Sequence, residues 1–306
     1  MRKIIGIGET ILDILFKDNQ PTAAVPGGSV FNGIISLGRM GLDVTFISET
    51  GNDRVGKTIL AFMKENGVST DHVNVFPEGK SPVSLAFLDE HNDAEYLFYK
   101  DYPHLRLDVA MPEIRRDDIV MIGSYYAVTP QLRDKVKELL DYAHRQGAII
   151  YYDVNFRSTH RHEAIKLLPA ILENFEYADI VRGSVDDFQN MFGLTDADRI
   201  YRSKIEFYCP RFICTHGAGR IGLYTKQVKK HYEVEPLPAV STVGAGDNFN
   251  AGLVFGLLKF RIRKDDLDDL SESDWDQVIR CGKDFSADVC MSLNNSISKE
   301  FAAAYK

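Results

Sequence analysis

The chain has 306 residues, of which 44% are hydrophobic and 26% are charged, and its formal net charge is −8. These values indicate a globular protein with one large core and exclude a disordered or collagen-like chain. The negative balance argues against nucleic acid and anionic membranes as partners, because both attract clustered Lys and Arg. No run approaches the ~20 apolar residues of a membrane span, and Glu9 and Asp13 interrupt the apolar N-terminal stretch that a signal peptide would need.

The cysteines are Cys209, Cys214, Cys281 and Cys290, and they lack the C-x-x-C spacing of zinc sites and redox motifs. We therefore predict that they are buried free thiols. Free thiols, together with the interrupted N-terminal stretch, predict a cytoplasmic protein.

In chain order, short apolar runs alternate with longer segments of helical period, which predicts βα units around a mainly parallel sheet. The predicted strands are Lys3 to Gly8, Val44 to Ser48, Ile119 to Ile122, Ala148 to Asp153, Ile180 to Arg182, Phe212 to Thr215 and Gly222 to Tyr224. The predicted helices are Phe31 to Met40, Lys57 to Asn66, Pro130 to Gln146, His162 to Glu173, Val185 to Phe192, Gly246 to Lys259 and Ser273 to Leu293. Such a doubly wound α/β fold binds ligands at the carboxyl ends of its strands.

Residues 81–101 break this alternation. Apolar and polar residues alternate on both sides of the turn-like His91-Asn92-Asp93, which predicts an antiparallel hairpin. Together with residues 15–25, this hairpin would form a small sheet outside the main one. Such a sheet is either a lid that keeps water from a reaction or a hairpin without that role, and periodicity alone favours neither.

Residues 51–58, GNDRVGKT, fit the phosphate-binding pattern G-x-x-x-x-G-K-[ST], with a predicted strand before them and a predicted helix after them. Electrostatics argues against a phosphate here, because Glu49 and Asp53 would place carboxylates beside a strongly anionic ligand. The favoured interpretation is a strand-to-helix turn in which Lys57 is a solvated helix residue. A P-loop nucleotidase is the second hypothesis.

A second glycine cluster, residues 241–247 with the sequence STVGAGD, precedes the apolar helix NFNAGLVFGLLKF. Small residues let a ligand approach the backbone, and the free amides of a first helical turn attract anions. Asp247 falls in that turn, where it either accepts a proton from an attacking hydroxyl or caps the helix. The sequence supports these two roles of Asp247 equally.

Two stretches near the N-terminus place polar groups beside predicted elements. Asp13 follows the first strand, and Pro26-Gly27-Gly28-Ser29 leads into a helix that carries Asn32. A carboxylate and an amide at fixed spacing can bridge vicinal sugar hydroxyls. Each of them alone is more often a turn or cap residue.

The stretch YYDVNFR, residues 151–157, ends another predicted strand. Residues two apart share a face while the chain is extended, so Asp153, Asn155 and Arg157 are predicted to point the same way. The donor fork of Arg157 suits a phosphate, and a surface ion pair is the alternative.

Together these stretches resemble the ribokinase-like (PfkB) carbohydrate kinases over essentially the whole chain. The similarity lies in GETILDIL, in PGGSVFNGIISLGRMGLDVTFISETGNDRVG, in DVNFR and above all in STVGAGDNFNAG. It implies an α/β fold, a ribokinase-like three-layer α/β/α sandwich with a mainly parallel central sheet, forming one domain over residues 1–306. A small β-sheet lid would comprise about residues 15–25 and 81–101, and dimerisation through such lids is common in the family.

The resemblance implies a role for each matched residue, with ATP and Mg²⁺ as cofactors. Asp247 would deprotonate the sugar hydroxyl, the amides of Gly244, Ala245 and Gly246 would hold charge on the γ-phosphate, and Arg157 would lie near it. The sugar would be held by Asp13, Gly27, Gly28 and Asn32, and Lys100 or Arg106 on the lid side would supply a cation for an acid sugar. The nucleotide would contact Ser184, Thr215, Gly217, Lys283 and Ala287, and Asp187 would organise Mg²⁺.

The sequence departs from the family pattern at two motifs. Ser241 stands where the family commonly has Asp, at a position linked to a monovalent-cation loop, so potassium activation is left open. In the N-x-x-E motif that helps organise Mg²⁺, Ser184 replaces the amide and Asp187 replaces a longer carboxylate. Metal binding is therefore predicted to be altered or mediated by water.

The quoted motifs are more similar to the fructokinase and ketodeoxygluconate kinase branch than to ribokinase. They predict phosphorylation of a primary hydroxyl of a small sugar, with fructose first and ketodeoxygluconate as the alternative. A sugar-sensing pseudokinase is the alternative from a non-enzyme class, motivated by Ser184 and Ser241.

Overall fold

The computed structural model describes residues 2–89, 94–101, 107–217 and 219–305, and within these ranges the strands form two separate sheets. The strands are β1 (Ile4–Ile7), β2 (Ile11–Lys17), β3 (Gln20–Gly27), β4 (Val44–Gly51), β5 (Val73–Phe76), β6 (Lys80–Leu88), β7 (Ala94–Asp101), β8 (Ile119–Gly123), β9 (Ile149–Asp153), β10 (Ile180–Ser184), β11 (Phe212–His216), β12 (Arg220–Tyr224) and β13 (Lys229–Glu233). The larger sheet has nine strands in the order β13-β12-β11-β10-β9-β8-β1-β4-β5, and the smaller has the order β3-β2-β6-β7.

The larger sheet is mainly parallel. All neighbouring strands from β5 across to β11 pair in parallel, whereas β12 and β13 add two antiparallel pairings at one edge. The central strands β1, β8 and β9 are buried along their whole length. Strands buried on both faces are continuous apolar runs, which is why the sequence shows them clearly.

Helices cover both faces of this sheet. They are α1 (Ser29–Arg39), α2 (Arg54–Glu65), α3 (Arg133–Gln146), α4 (Ala164–Tyr177), α5 (Val185–Phe192), α6 (Ala197–Ile200), α7 (Ala245–Lys259), α8 (Glu272–Cys290) and α9 (Lys299–Ala304). Ile4 belongs to the core beside α1, α7 and α8, and its neighbour Ile5 belongs to the core beside α3, α4 and α5. Because successive strand residues point to opposite faces, the two cores lie on either side of the sheet and give three layers.

The helix α7 lies inside the protein rather than on its surface. It is buried at every position from Asp247 to Leu257, and it packs against α1 and α8. A helix that is apolar on all sides must be covered on all sides. Its first turn is thereby fixed in place by packing along the rest of its length.

Each predicted strand and helix has an observed counterpart, and the ends differ by a few residues. The strands β5 and β13 and the helices α6 and α9 were not predicted. The sequence of β13, KKHYE, alternates exposed and half-buried residues at the edge of the sheet, so it contains no apolar run. The strand β5 is a short edge strand of four residues.

The smaller sheet comprises β2, β3, β6 and β7, and β6 pairs antiparallel with β7 as predicted. The strand β2 begins at Ile11, before the predicted segment of about residues 15–25, and Asp13 lies within this strand. The predicted turn at residues 91–93 lies outside the described residues.

The GNDRVGKT stretch turns from β4 into α2. Asp53 is the N-cap of α2, and its Oδ1 accepts a hydrogen bond from the Gly56 amide at 2.8 Å. The same carboxylate accepts bonds of 2.8 Å from the Ser81 amide and hydroxyl at the start of the smaller sheet. Lys57 is exposed one residue beyond Gly56. The Gly56 amide, which a bound phosphate would need as a donor, therefore already donates its hydrogen bond to Asp53.

All four cysteines are buried and free, as predicted. Among the described residues, no helix combines the length and the apolar character that a membrane crossing requires.

We expect Asp53→Ala to lower the free energy of unfolding by about 1 kcal/mol or more, the usual effect of losing an N-cap. Lys57→Ala, on the exposed side of the same helix, should change it by less than about 0.5 kcal/mol. Urea unfolding followed by circular dichroism measures both. Equal losses in the two variants would contradict the capping role of Asp53.

Candidate active site

The carboxyl ends of β9, β10 and β11 and the first turn of α7 border one large cavity of about 1390 Å³. Pockets for single drug-sized ligands are typically ~300–1,000 Å³, so this cavity has room for two small molecules side by side. The smaller sheet contributes Tyr96 to its lining. One strand of the smaller sheet therefore borders the cavity.

Asp247 lies in the first turn of α7 and is 8% exposed. Its Oδ2 accepts a hydrogen bond of 2.8 Å from Asn32 Nδ2, 215 residues earlier in the chain. The N-cap position belongs to Gly244, which has no side chain, so the Asp247 carboxylate is directed to Asn32 and not to the helix end. Burial raises the pKa of Asp247, although the hydrogen bond from Asn32 opposes this shift. A carboxylate with a raised pKa is a better proton acceptor.

The glycine turn before Asp247 presents amides to the cavity. Gly244 has φ 78°, and Gly244, Ala245 and Gly246 all line the cavity. The Ala245 amide donates to the Thr242 carbonyl at 3.1 Å, so this member of the predicted trio is already bonded within the turn. The amides of Gly246 and Asp247 come next in the first helical turn, which points its amides outward.

Asp13 lies in a buried polar cluster on the smaller sheet. Its Oδ1 accepts a hydrogen bond from Ser84 Oγ on the neighbouring strand, and its Oδ2 accepts one of 3.0 Å from Asn295 Nδ2. The pKa of Asp13 is raised to about 6, because burial and the nearby Asp247 raise it by more than the hydrogen bonds from Ser84 and Asn295 lower it. The two carboxylates therefore lie close enough to interact.

The predicted pair Gly27 and Gly28 leaves space for this cluster. A Cβ on Gly27 would lie 2.2 Å from Asp13 Oδ2, and a Cβ on Gly28 would lie 2.1 Å from the Glu9 carbonyl oxygen. Gly28 also has φ 133°, which favours glycine. Larger residues at either position would displace the Asp13 carboxylate or the chain beside it.

The predicted alignment of Asp153, Asn155 and Arg157 on one face is wrong. The strand β9 ends at Asp153, and Asn155 has φ 37°, so the chain is not extended between them. Asp153 accepts a bond of 3.0 Å from Arg182, and Asn155 donates one of 2.6 Å to Ser29 Oγ. Asn155 and Arg157 both line the cavity even so.

Tyr96 of the smaller sheet and Arg157 line the cavity side by side. The Arg157 guanidinium lies 6.0 Å from the centre of the Tyr96 ring. Lys100, predicted as a cation for an acid sugar, forms an ion pair of 2.8 Å with Glu9. Arg106, the other predicted cation, lies outside the described residues.

The nucleotide residues predicted from the resemblance, Ser184, Thr215, Gly217, Lys283 and Ala287, all line the cavity. Thr215 Oγ1 accepts a bond of 2.6 Å from Arg182, and Lys283 Nζ donates one of 2.8 Å to the Glu233 carbonyl. Lys283 and Ala287 lie on α8, across the cavity from the strand ends.

Asp187, the predicted metal residue, also lines the cavity and is 6% exposed. Its Oδ1 accepts from the Phe156 amide at 2.7 Å, and its Oδ2 accepts from the amide and hydroxyl of Ser184 in a capping box of α5. Within the described part of the chain, no group of three or more His, Cys, Asp or Glu could hold a metal ion. This arrangement fits Mg²⁺, which proteins usually hold through one or two carboxylates, water and substrate phosphates.

Comparison with known proteins identifies the family. The sequence model for pfkB family carbohydrate kinases matches residues 1–299. The chain belongs to this family. The kinase has the ribokinase-like fold, and the predicted three-layer sandwich with a small separate sheet is confirmed.

Relatives of the kinase act on different sugars. The 5-dehydro-2-deoxygluconokinase of Geobacillus kaustophilus is 30% identical over 246 residues, which cover 76% of this chain and 72% of the relative. A fructokinase of Rhizobium leguminosarum bv. trifolii is 28% identical over 265 residues, 83% of this chain and 79% of the relative. The structure of Vibrio cholerae O395 fructokinase with fructose, ADP and calcium ion superposes with a TM-score of 0.87 at 18% identity, covering 100% of this chain and 99% of the other.

Several residues of the site were missed in the sequence. Asn295 bonds to Asp13 across 282 positions, and the only local signal for it is the polar run NNS after α8. Tyr96 was detectable, because it alternates with Phe98 and Lys100 on one face of a predicted strand. Arg182 was treated as a strand end, although it is 7% exposed and bonded to Asp153 and Thr215.

The raised pKa values predict an acid limit to turnover. Asp13, with a pKa of about 6, and Asp247, whose pKa is also raised, should both be ionised for the reaction, so kcat/KM for the sugar should fall as the pH drops below about 6. The native state holds these protons more tightly than the unfolded chain, so both groups favour folding more as the pH falls. The loss of activity should therefore precede any loss of structure due to these residues.

A pH profile of kcat/KM, with circular dichroism at each pH, checks this expectation. Lys57→Ala, which alters an exposed charge, should reproduce the wild-type profile. A flat profile between pH 7.5 and 5 in the folded enzyme would contradict the assignment.

Proposed function

We propose that this kinase transfers the γ-phosphoryl group of ATP to a primary hydroxyl of a small neutral sugar, with fructose as the first candidate. The observation that carries the proposal is the placement of Asp247. Its buried carboxylate shares one end of the cavity with the amides of the glycine turn, while Asn32 holds it in position. A base and an anion site at one end of a cavity are what hydroxyl phosphorylation requires.

Each residue then has a defined part. Asp13 and Asn32 would accept hydrogen bonds from sugar hydroxyls and donate hydrogen bonds to them, respectively, and Gly27 and Gly28 leave room for the Asp13 carboxylate and the chain beside it. Asp247 takes the proton of the attacking hydroxyl. The amides of Gly246 and Asp247 stabilise charge on the transferred group, and Arg157 approaches it from the side of the lid.

ATP would occupy the part of the cavity between Thr215 and Gly217 on one side and Lys283 and Ala287 on the other. A metal ion held there would supply positive charge that offsets part of the phosphate charge. Asp187 would reach the metal through water, because both of its oxygens already accept hydrogen bonds from the protein. Ser241 is 1% exposed, and its hydroxyl accepts a hydrogen bond of 3.1 Å from the Val243 amide. The assay therefore compares activity with and without K⁺.

The lid favours a neutral sugar over an acid sugar. Lys100 is the predicted partner for a substrate carboxylate that lies within the described residues. Its Nζ already forms an ion pair of 2.8 Å with Glu9. A substrate carboxylate would have to displace Glu9 and lie near its negative charge. The 5-dehydro-2-deoxygluconokinase relatives keep an acid sugar as the second candidate.

An ADP-release assay over fructose, ribose, tagatose, ketodeoxygluconate and 5-dehydro-2-deoxygluconate, with and without K⁺, tests the proposal. We expect fructose to give the highest kcat/KM. Faster turnover of either acid sugar would replace fructose by the second candidate, and no stimulation by any sugar would contradict the proposed function.

Two variants in the same assay locate the chemistry. Asp247→Asn should lower kcat by at least about 10²-fold, the lower end for removal of a general base. Lys57→Ala should leave kcat unchanged, because its side chain is exposed on α2. The opposite pattern would support a P-loop site at residues 51–58.

We infer further that the outer face of the lid binds a second copy of this chain. On the face opposite Asp13, the strand register places Leu12, Val83 and Tyr99 side by side in one row. Leu97 lies in the neighbouring row of the same face. Leu97 and Tyr99 are 48% and 60% exposed. Because each copy carries a net charge of −8, a face rich in exposed apolar residues is a surface through which two copies repel little.

Leu97→Asp should convert the wild-type dimer into a monomer of 34.5 kDa, because it would place a carboxylate in the apolar contact. Size-exclusion chromatography with light scattering measures the mass. Ile165→Asp, at a residue that is 90% exposed on α4, is the matched control and should remain dimeric. A monomeric wild-type protein would contradict the inference.

A further inference from the structure

Arg182 is an arginine held almost entirely inside the protein at the edge of the cavity. It lies on β10, and its side chain is 9% exposed. Nη1 donates to Asp153 Oδ1 at 3.0 Å, and Nη2 donates to Thr215 Oγ1 at 2.6 Å. Bonds to two neighbouring strands fix the plane of the guanidinium.

The guanidinium lies against the glycine turn that precedes α7. A Cβ added to Gly246 would lie 3.2 Å from Nη2 and 3.3 Å from Nη1, so the turn approaches this closely only because residue 246 is glycine. The ring of Phe249, one helical turn later, lies 5.8 Å from the guanidinium carbon. The positive charge is therefore positioned beside the amides that face the cavity.

The ion pair with Asp153 is incompletely satisfied. Among the described residues, Arg182 Nε and Asp153 Oδ2 are buried and have no hydrogen-bond partner. Burial lowers the pKa of Arg182, but Asp153, Tyr151 and Asp187 together raise it by more, so the side chain stays charged. A buried charge with an unmet donor is costly, and such a group calls for an explanation other than stability.

We propose that Arg182 binds the phosphates of the nucleotide from beneath the glycine turn and that Asp153 is its positioning residue. The proposal rests on the proposed function, because it takes the turn at Gly244–Gly246 as the phosphate site. Asp153, Asp187 and Asp247 are all buried nearby, and a fixed cation among them would offset their repulsion of a polyphosphate. Arg157 lies on the lid side, so the two arginines would act on the phosphates from different directions.

Isothermal titration calorimetry of Mg-ADP and of adenosine separates phosphate binding from nucleoside binding. Arg182→Met should weaken ADP binding by at least about tenfold, the size of a charge-assisted hydrogen bond, and change adenosine binding by less than about twofold. Arg211→Met is the matched control, since Arg211 has an equally buried side chain paired with Asp268 at 2.5 Å, but does not line the cavity. It should lower the melting temperature and leave both affinities unchanged.

Arg182→Lys keeps the charge and serves as a second test if Arg182→Met does not fold. It should weaken ADP binding less than Arg182→Met does and leave adenosine binding unchanged. Unchanged ADP affinity, or equal losses for ADP and adenosine, in a folded variant would overturn the role of Arg182. If the wild type binds adenosine and ADP equally, the phosphate site itself is wrong, and the proposed function fails with it.

Discussion

Four buried carboxylates lie around the candidate site, and the same region must accept an anion if the proposed function is right. The site therefore depends on donors that keep these carboxylates stable away from water. Asp13, Asp153, Asp187 and Asp247 are each no more than 8% exposed. An ionised carboxylate away from water is stable only with donors at hydrogen-bond distance. The surrounding structure supplies these donors from distant parts of the chain: Ser84 and Asn295, Arg182, Ser184 and the Phe156 amide, and Asn32.

The kind of donor separates the roles of these carboxylates. Asp187 accepts from the amides of its own capping box and from Phe156, so it is anchored to the backbone. Asp153 faces a guanidinium, whereas Asp247 accepts a hydrogen bond from the Asn32 amide and keeps a raised pKa. Environments that differ in this way let one of several similar groups act as a base while the others remain fixed charges.

The sequence predicted those parts of the site that are contiguous in the chain. The STVGAGD turn and Asp247 were found because the small residues, the acid and the apolar helix follow one another directly. The long apolar runs likewise identified the central strands and the parallel sheet. Asn295 and Arg182 were not found, because their roles arise from contacts with Asp13 and with the Gly246 turn, which only tertiary packing brings together. For Asp153, Asn155 and Arg157, the alternation rule failed because the strand ends at the first of them.

The stretch GNDRVGKT connects the main sheet to the lid. Asp53 caps α2 and also binds the amide and hydroxyl of Ser81, and three residues further along β6 Ser84 binds Asp13. Burial raises the pKa of Asp53, but hydrogen bonds from Gly56 and Ser81 lower it by more, so its stabilising effect is lost as the pH falls. The effect of Asp13 on stability has the opposite pH dependence, because its raised pKa favours the folded state more as the pH falls. Acid therefore weakens the contact of Asp53 with Ser81 while it neutralises Asp13, and both carboxylates bond to β6.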